Sequence, residues 1–407
     1  VATTGSAVSQ SLQGDFPETA EVAVVGAGLA GLACARVLQQ RGMDVVVLES
    51  ASRVGGRVAT DTVDGFLCDR GFQVLLTGYP AARRWLDMEA LSLRSFPAGA
   101  LIRHGQSWVK LGDPLRHPGD LMATLTCPVG SFSDKLRVGF LRLALAAGWP
   151  LCTQGSTQDL LTRWGFSREF IERFFRPFFG GVFLERELST LAAKFAYLFH
   201  LFSSSRVTVP ARGMGAIPQQ LAEPLSGQVW LNTPFQGLDG TLLSTPRGQL
   251  LAKNVVLAGA AQEAVLGGPI TPFQRTQTHY FTTSNWPWGD HLMLGQPGSV
   301  IVTLAPLRAY SRDGQTLLAA SVVAPQASLE PGHAAASLQL ESWFPDLKFR
   351  HLASYDIPLA LPVEETDLQR SPRLGEHFFA CGDHRQSGSI QGALESGEQA
   401  ASAIIDL

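Results

Sequence analysis

At 407 residues, with 45% hydrophobic and 16% charged side chains, the chain is long enough to bury a large core and to divide into two domains. A net charge of −3 leaves no basic footprint for nucleic acid, and the hydrophobic content excludes a disordered chain. Five scattered cysteines (Cys34, Cys68, Cys127, Cys152 and Cys381) show no CxxC pair and no metal-like spacing with histidine, so a reducing compartment is expected, without a disulfide framework or metal site.

The chain starts at Val1 and carries no charge before Asp15. Residues 1–20 are expected to be a flexible tail, and 1–14 also suit the stub of an organelle transit peptide. The expected location is therefore soluble, at the plastid stroma or thylakoid surface, otherwise cytoplasmic. No apolar run reaches the ~18–20 residues that span a bilayer.

Glu21-Val-Ala-Val-Val25 has strand character and breaks at Gly26-Ala-Gly28-Leu29-Ala30-Gly31. Leu32 to Leu38 continues with helical spacing, Gly42 ends that helix, and Asp44 to Leu48 is a second strand closing on Glu49. Strand, glycine turn, helix, strand and acid in this order form the βαβ dinucleotide fingerprint. Gly26 permits the tight turn, Gly28 lets backbone approach a pyrophosphate, and Gly31 lets helix and strand pack closely. The helix N-terminus offers unpaired N–H groups to phosphate, and Glu49 stands where a carboxylate accepts hydrogen bonds from a ribose diol. An acid there repels the 2′-phosphate of NADP.

Past Glu49 comes Ser50-Ala-Ser-Arg53-Val-Gly55-Gly56-Arg57. Here the sequence resembles the FAD-dependent amine oxidase, protoporphyrinogen oxidase and phytoene desaturase superfamily, carotenoid isomerase-like members included. The resemblance implies an α/β fold: a Rossmann-type, GR2-like FAD-binding domain with an inserted α+β substrate domain. It places Ser50, Arg53, Gly55, Gly56 and Arg57 along the cofactor's diphosphate and ribityl chain. A nicotinamide enzyme needs no such extension, so FAD is the expected cofactor.

A hairpin is expected to turn at Asp64-Gly65 and lead to Asp69-Arg-Gly71-Phe72-Gln73. The resemblance brings Gly71 and Phe72 to the flavin ring; Gln73 is either a ring neighbour or a solvated strand residue. From 98 to 205 the chain is expected to be largely helical, with helices over Asp134–Ala146 and from Ser167, an N-cap, to Pro177. Ten phenylalanines between 166 and 202 read either as core or as an apolar pocket wall or membrane- or protein-contacting face spanning 164–202. Arg176-Pro-Phe-Phe-Gly-Gly-Val and Gly213-Met-Gly215 also resemble superfamily segments, although Arg212 stands where glycine is usual. Val229 to Phe235 is read as a strand whose end, at Phe235, touches adenine through its backbone by resemblance. Val255 to Ala258 is a buried strand ending in small residues, where a cofactor comes close. Strands are also expected at Thr276–Thr283 and Ser299–Leu304.

The tail Glu376-His-Phe-Phe-Ala-Cys381-Gly382-Asp383, followed by Ser387-Gly-Ser-Ile390-Gln391-Gly392-Ala393, is a second signal. By resemblance Gly382 and Asp383 hold the ribityl chain. A helix pointing the amides around Ile390, Gln391, Gly392 and Ala393 at flavin N1 and C2=O stabilises the charge of the reduced ring. The implied domains are 21–97, 206–262 and 376–407 for FAD, and 98–205 and 263–375 for an apolar small-molecule substrate.

The implied activity is dehydrogenation or isomerisation of an isoprenoid- or tetrapyrrole-like molecule by hydride transfer to flavin N5. Amine oxidation is less well supported, because no lysine lies in Thr276–Phe281 and Ser389 stands where a cage tyrosine is usual. An FAD-stiffened scaffold or assembly subunit with little catalysis is the third reading. His384, Arg385 and Gln73 are the expected catalytic side chains, with His279 weaker.

Overall fold

The structure, a computed structural model, describes residues 15–149, 151–259, 267, 271–323, 332–367 and 369–407. Apolar residues on both faces of a short run favour a strand covered from both sides. Thr19–Val25 (β1) is such a strand, buried at Ala20 and from Val22 to Val25. It leads through the glycine turn to α1 (Leu29–Gln40) and β2 (Val45–Leu48). Residues 15–20, expected within a flexible tail, are ordered: Phe16 packs edge-on against Trp230, ring centroids 5.1 Å apart, and β1 begins at Thr19.

The hairpin forms as β3 (Thr60–Val63) and β4 (Phe66–Asp69), with Asp64 and Gly65 both at positive φ. The next segment opens not with a helix but with a second hairpin, β5 (Ala100–His104) and β6 (Ser107–Leu111). Helices follow: α2 (Leu121–Thr126) and α3 (Phe132–Ala146). At the start of α3 a capping box forms, Ser131 Oγ accepting from Asp134 N and Asp134 accepting from Ser131 N.

Ser167 caps its helix by accepting from Phe170 N at 3.2 Å. Pro177 does not stop the helical run. A π-type stretch, Ile171–Phe175, passes into α4 (Arg176–Phe183), and Pro177 sits in that first turn, where a missing N–H is tolerated. The run ends at Leu184, in the left-handed region. α5 (Ala192–Ser204) completes the helical layer.

Of the expected strand Val229–Phe235 only Val229–Trp230 (β7) pairs, because Asn232 turns at φ +52°. Then come β8 (Gly237–Asp239), β9 (Leu242–Thr245) and β10 (Gly248–Ala258), followed by β11 (Phe273–Ser284), β12 (Leu292–Leu294), β13 (Ile301–Pro306) and β14 (Gln315–Val323). α6 (Gly332–Trp343), β15 (Arg350–Pro362), β16 (Phe378–Cys381) and α7 (Ile390–Ile405) end the chain.

Two seven-stranded sheets organise the molecule. In the first, β7, β2, β1, β10 and β16 lie parallel, and β9 and β8 add antiparallel strands beside β10. The second runs β15-β11-β14-β13-β12-β5-β6. Each sheet draws on distant parts of the chain, so the front and the tail meet in the first: β10 pairs with β1 on one side and β16 on the other. α1 and α7 lie so close that a Cβ on Gly397 would meet Ala30 O at 2.3 Å.

Candidate functional site

The glycine turn is shaped by two different demands. A Cβ at Gly26 would meet Ala258 O at 2.7 Å, and one at Gly31 would meet Gly26 O at 2.0 Å. Packing of strand and helix alone therefore explains both. Gly28 differs: its φ of −71° suits any residue, and a Cβ there would meet nothing within 4 Å. No protein atom requires glycine at 28. A ligand lying close at the start of α1 would, and this open cradle at a helix N-terminus fits a pyrophosphate.

Glu49 closes β2 beside the cradle. Its carboxylate accepts from Ala27 N and from Ala51 N, both at 2.8 Å, and the side chain is pinned against the turn at 9% exposure. Ser50 turns its hydroxyl back to Glu49 Oε1 at 3.3 Å, off the wall. The second glycine pair folds onto the first: Gly55 N donates to Ala27 O at 2.8 Å, and Gly56 lies against Gly28. Arg53 does not reach the wall; it donates to its own loop, at Val54 O and Gly56 O. Arg57 does reach the wall, donating to Ala360 O at 3.0 Å and pairing with Asp383 from the tail. Front and tail thus meet through a charge-assisted contact as well as through the sheet.

These groups share one cavity of ≈930 Å³. Gly26, Gly28, Leu29, Ala30 and Gly31 line its first end, with Glu49, Gly55, Gly56 and Arg57. Gly71, Phe72, Gln73 and Ala258 continue the wall, and Gly382, Asp383, Ile390 and Ala393 enter from the tail. Gln73 Nε2 donates to Arg57 O at 3.0 Å, so its amide braces the loop. Phe72 N donates to Thr278 Oγ1 at 3.3 Å, tying this loop to the second sheet.

The structure places several expected residues elsewhere. Phe235 is off the cavity wall, its half-buried side chain packed against the cluster that holds Val25, Leu48 and Trp230. The Gln391 side chain points away, accepting from Ala81 N at 2.9 Å. Gly392 N is taken by the Ser389 cap at 2.9 Å, which leaves the Ile390 end of α7 on the cavity. His384 and Arg385 are buried at 1% and 4% exposure, off the wall. The His384 ring lies under the turn, 2.4 Å from where a Gly382 Cβ would stand, and Arg385 donates to Ser371 O. His279 is also off the wall. Burial holds its imidazole down at about 4, with His351 and His333 adding repulsion. Among the described residues no histidine lines the cavity, and no His/Cys/Asp/Glu group is arranged to hold a metal ion.

Beyond the tail the wall becomes apolar. Phe170, Phe174, Phe178 and Phe179 face it from the 168–183 run, with Leu198, Phe199 and Phe202 from α5. Of the other four phenylalanines, Phe175, Phe183 and Phe195 are at most 1% exposed and Phe166 is 6% exposed. The phenylalanines of 164–202 are therefore core and cavity wall, and Tyr197 is the large exposed hydrophobic side chain of this region among the described residues. Threonines 276, 278 and 303 and Ser321 bring small polar groups from the second sheet.

The sequence matches the flavin-containing amine oxidoreductase family over residues 29–405. The chain belongs to that family. Among solved structures, a putative protoporphyrinogen oxidase from Exiguobacterium shares the fold with a TM-score of 0.71 at 17% identity, covering 97% of this chain and 100% of that one. Protoporphyrinogen oxidase 2 of Arabidopsis thaliana is 28% identical over 39% of this chain and 32% of its own length. The carotenoid phi-ring synthase of Streptomyces griseus is 30% identical over 52% of this chain and 44% of its own length. These matches span less than half of either curated relative. Family membership makes a flavin the expected occupant, which the open cradle at Gly28 and the carboxylate at Glu49 fit.

One functional pair escaped sequence reasoning. Lys194 of α5 lines the cavity and pairs with Glu364, both side chains 6% exposed. Lys194 Nζ also donates to Gly388 O at 3.2 Å, and Glu364 Oε1 accepts from Gly388 N at 2.6 Å. Gly388 immediately precedes the Ser389 cap of α7, so the pair holds the loop that aims this helix. The available signal was one charge inside the apolar run Ala192-Ala-Lys-Phe-Ala-Tyr-Leu-Phe.

Proposed function

We propose that the chain is an FAD-dependent oxidoreductase that dehydrogenates or isomerises an apolar, isoprenoid- or tetrapyrrole-like molecule. The carrying observation is the single cavity that joins the glycine cradle to a wall of phenylalanine and leucine. FAD, when bound, supplies the hydride acceptor. In this reading Gly28 and the α1 N-terminus hold the diphosphate, Glu49 the adenosine ribose, and Asp383, oriented by Arg57, a ribityl hydroxyl. The first turn of α7, steered onto the cavity by Lys194, Glu364 and Gly388, favours negative charge at the flavin's pyrimidine edge. The aromatic wall orients an apolar molecule and keeps water from the C–H bond that breaks. The strand β11 contributes threonines and no lysine, which favours this reading over amine oxidation.

Anaerobic mixing of the yellow holoprotein with candidate substrates tests it. Loss of flavin absorbance with an isoprenoid or tetrapyrrole, and not with amines, is the expected result. Bleaching by amines alone would replace the proposed substrate class.

A further inference from the structure

Large hydrophobic side chains exposed to solvent are not spread evenly over the molecule. Nine of the fifteen among the described residues fall between Leu115 and Trp149. On α3, Phe132, Leu136, Phe140 and Leu143 follow one another at spacings of four, four and three, and so share one face. The opposite face of α3 is anchored by buried Asp134, Leu141 and Ala144. Met122 on α2 and Trp149 after α3 extend the bare surface, at 67% and 70% exposure.

Two further observations give this surface a direction. Leu121, Leu125, Phe132, Leu136 and Leu143 are both exposed and part of the cavity wall, so the bare face is the cavity's rim. The charge is lopsided as well. Residues 100–149 hold six cations against three aspartates and no glutamate, in a chain of net charge −3. Arg103 is buried and Lys110, Arg116, Arg137 and Arg142 lie within 4.0 Å of those aspartates, so the excess rests on Lys135 and on aspartates that are outnumbered. Lys135 stands between Leu125 and Phe132 and bonds only backbone oxygens, at Leu125 and Cys127, among the described residues.

We propose that α2 and α3 seat the cavity rim on an anionic lipid bilayer surface. The phenylalanines and leucines enter the acyl boundary while the excess cations meet the headgroups. An apolar ligand then passes between the hydrocarbon layer and the cavity without crossing water. Attachment lies on the surface, because no helix among the described residues is long and apolar enough to cross a membrane. A second copy of the chain explains the apolar face, but two like-charged rims meeting each other do not explain the cations.

Co-sedimentation of the holoprotein with vesicles tests this, using phosphatidylcholine alone or with a quarter phosphatidylglycerol. Binding to the anionic vesicles, at least tenfold weaker on neutral ones and weakened by 0.5 M salt, is expected. The triple variant Met122→Glu, Phe140→Glu and Trp149→Glu, exposed positions off the cavity wall, is expected to lose binding at least tenfold and keep its flavin absorbance. Leu338→Glu, equally exposed but remote in sequence, is expected to bind like the parent. No binding by the parent, equal binding by the triple variant, or a dimer in buffer that the triple variant abolishes overturns the proposal. The readout is sedimentation, so failure of the substrate assignment leaves this result standing.

Discussion

Replacing Lys194 with methionine removes one half of a buried ion pair and keeps most of its volume. Glu364 is then left at 6% exposure with Gly388 N at 2.6 Å and the Ser387 hydroxyl at 3.4 Å as its hydrogen-bond donors in the structure. Taking one partner from a buried pair costs about 3–5 kcal/mol, mainly because the remaining charge stays desolvated. Combining Lys194→Met with Glu364→Gln removes that charge and keeps an amide oxygen for Gly388 N. The double variant is expected to recover more than half of the loss. Urea unfolding of the three proteins, followed by tryptophan fluorescence, gives both numbers. A Lys194→Met variant within about 1 kcal/mol of the parent, or a double variant no more stable than the single, refutes the coupling. The same pair holds the loop before α7, so the flavin absorption band of the single variant is expected to shift and that of the double to return.

Gly28→Ala and Gly31→Ala separate ligand demand from packing demand. The first is expected to leave unfolding unchanged while weakening FAD binding at least tenfold, and the second to destabilise the fold itself through its contact with Gly26 O. Equal loss of stability in both, followed by thermal melting of the FAD-free proteins, would remove the argument for a cofactor at Gly28. Burial pushes the Asp69 carboxyl up to about 6, against hydrogen bonds from Thr60 and Met214 N that oppose the shift. The folded state therefore binds the proton more tightly than the unfolded state, and stability falls as pH rises from about 4 to about 6 and is level above that. Two pH units correspond to about 3 kcal/mol. Asp69→Asn is expected to abolish that slope, and urea midpoints at pH 4 and pH 7 that change as much as the parent's would contradict it.

What the sequence showed and what it hid follow from how local each cause is. The glycine turn, the Asp64-Gly65 hairpin and the Ser167 cap are set within a few residues, where conformation and hydrogen bonding leave few choices. The closing of the tail on the front was legible only through resemblance, since nothing local to Gly382-Asp383 specifies Arg57 as its neighbour. Pro177 misled because proline stops a helix from inside but is accepted in a first turn, and the preceding π-type stretch restarts the count. His384 and Arg385 misled differently: adjacency to Asp383 suggested the cavity, yet a tight turn sends successive side chains in different directions, and only Asp383 faces inward. The phenylalanines carry the broadest lesson. Composition counted them but gave no sign of which face they occupy. The structure buries the dense cluster at 166–202 and bares the sparser apolar residues at 115–149. Exposure is a property of partners: the cluster supplies its own, ring against ring, from Phe166 to Phe202. The stripe on α3 has a covered side at Leu141 and Ala144 and, among the described residues, no covering on the other. A stripe that the chain's described elements leave bare is what the proposed lipid surface would cover, and its position at the cavity rim ties that surface to the ligand's route.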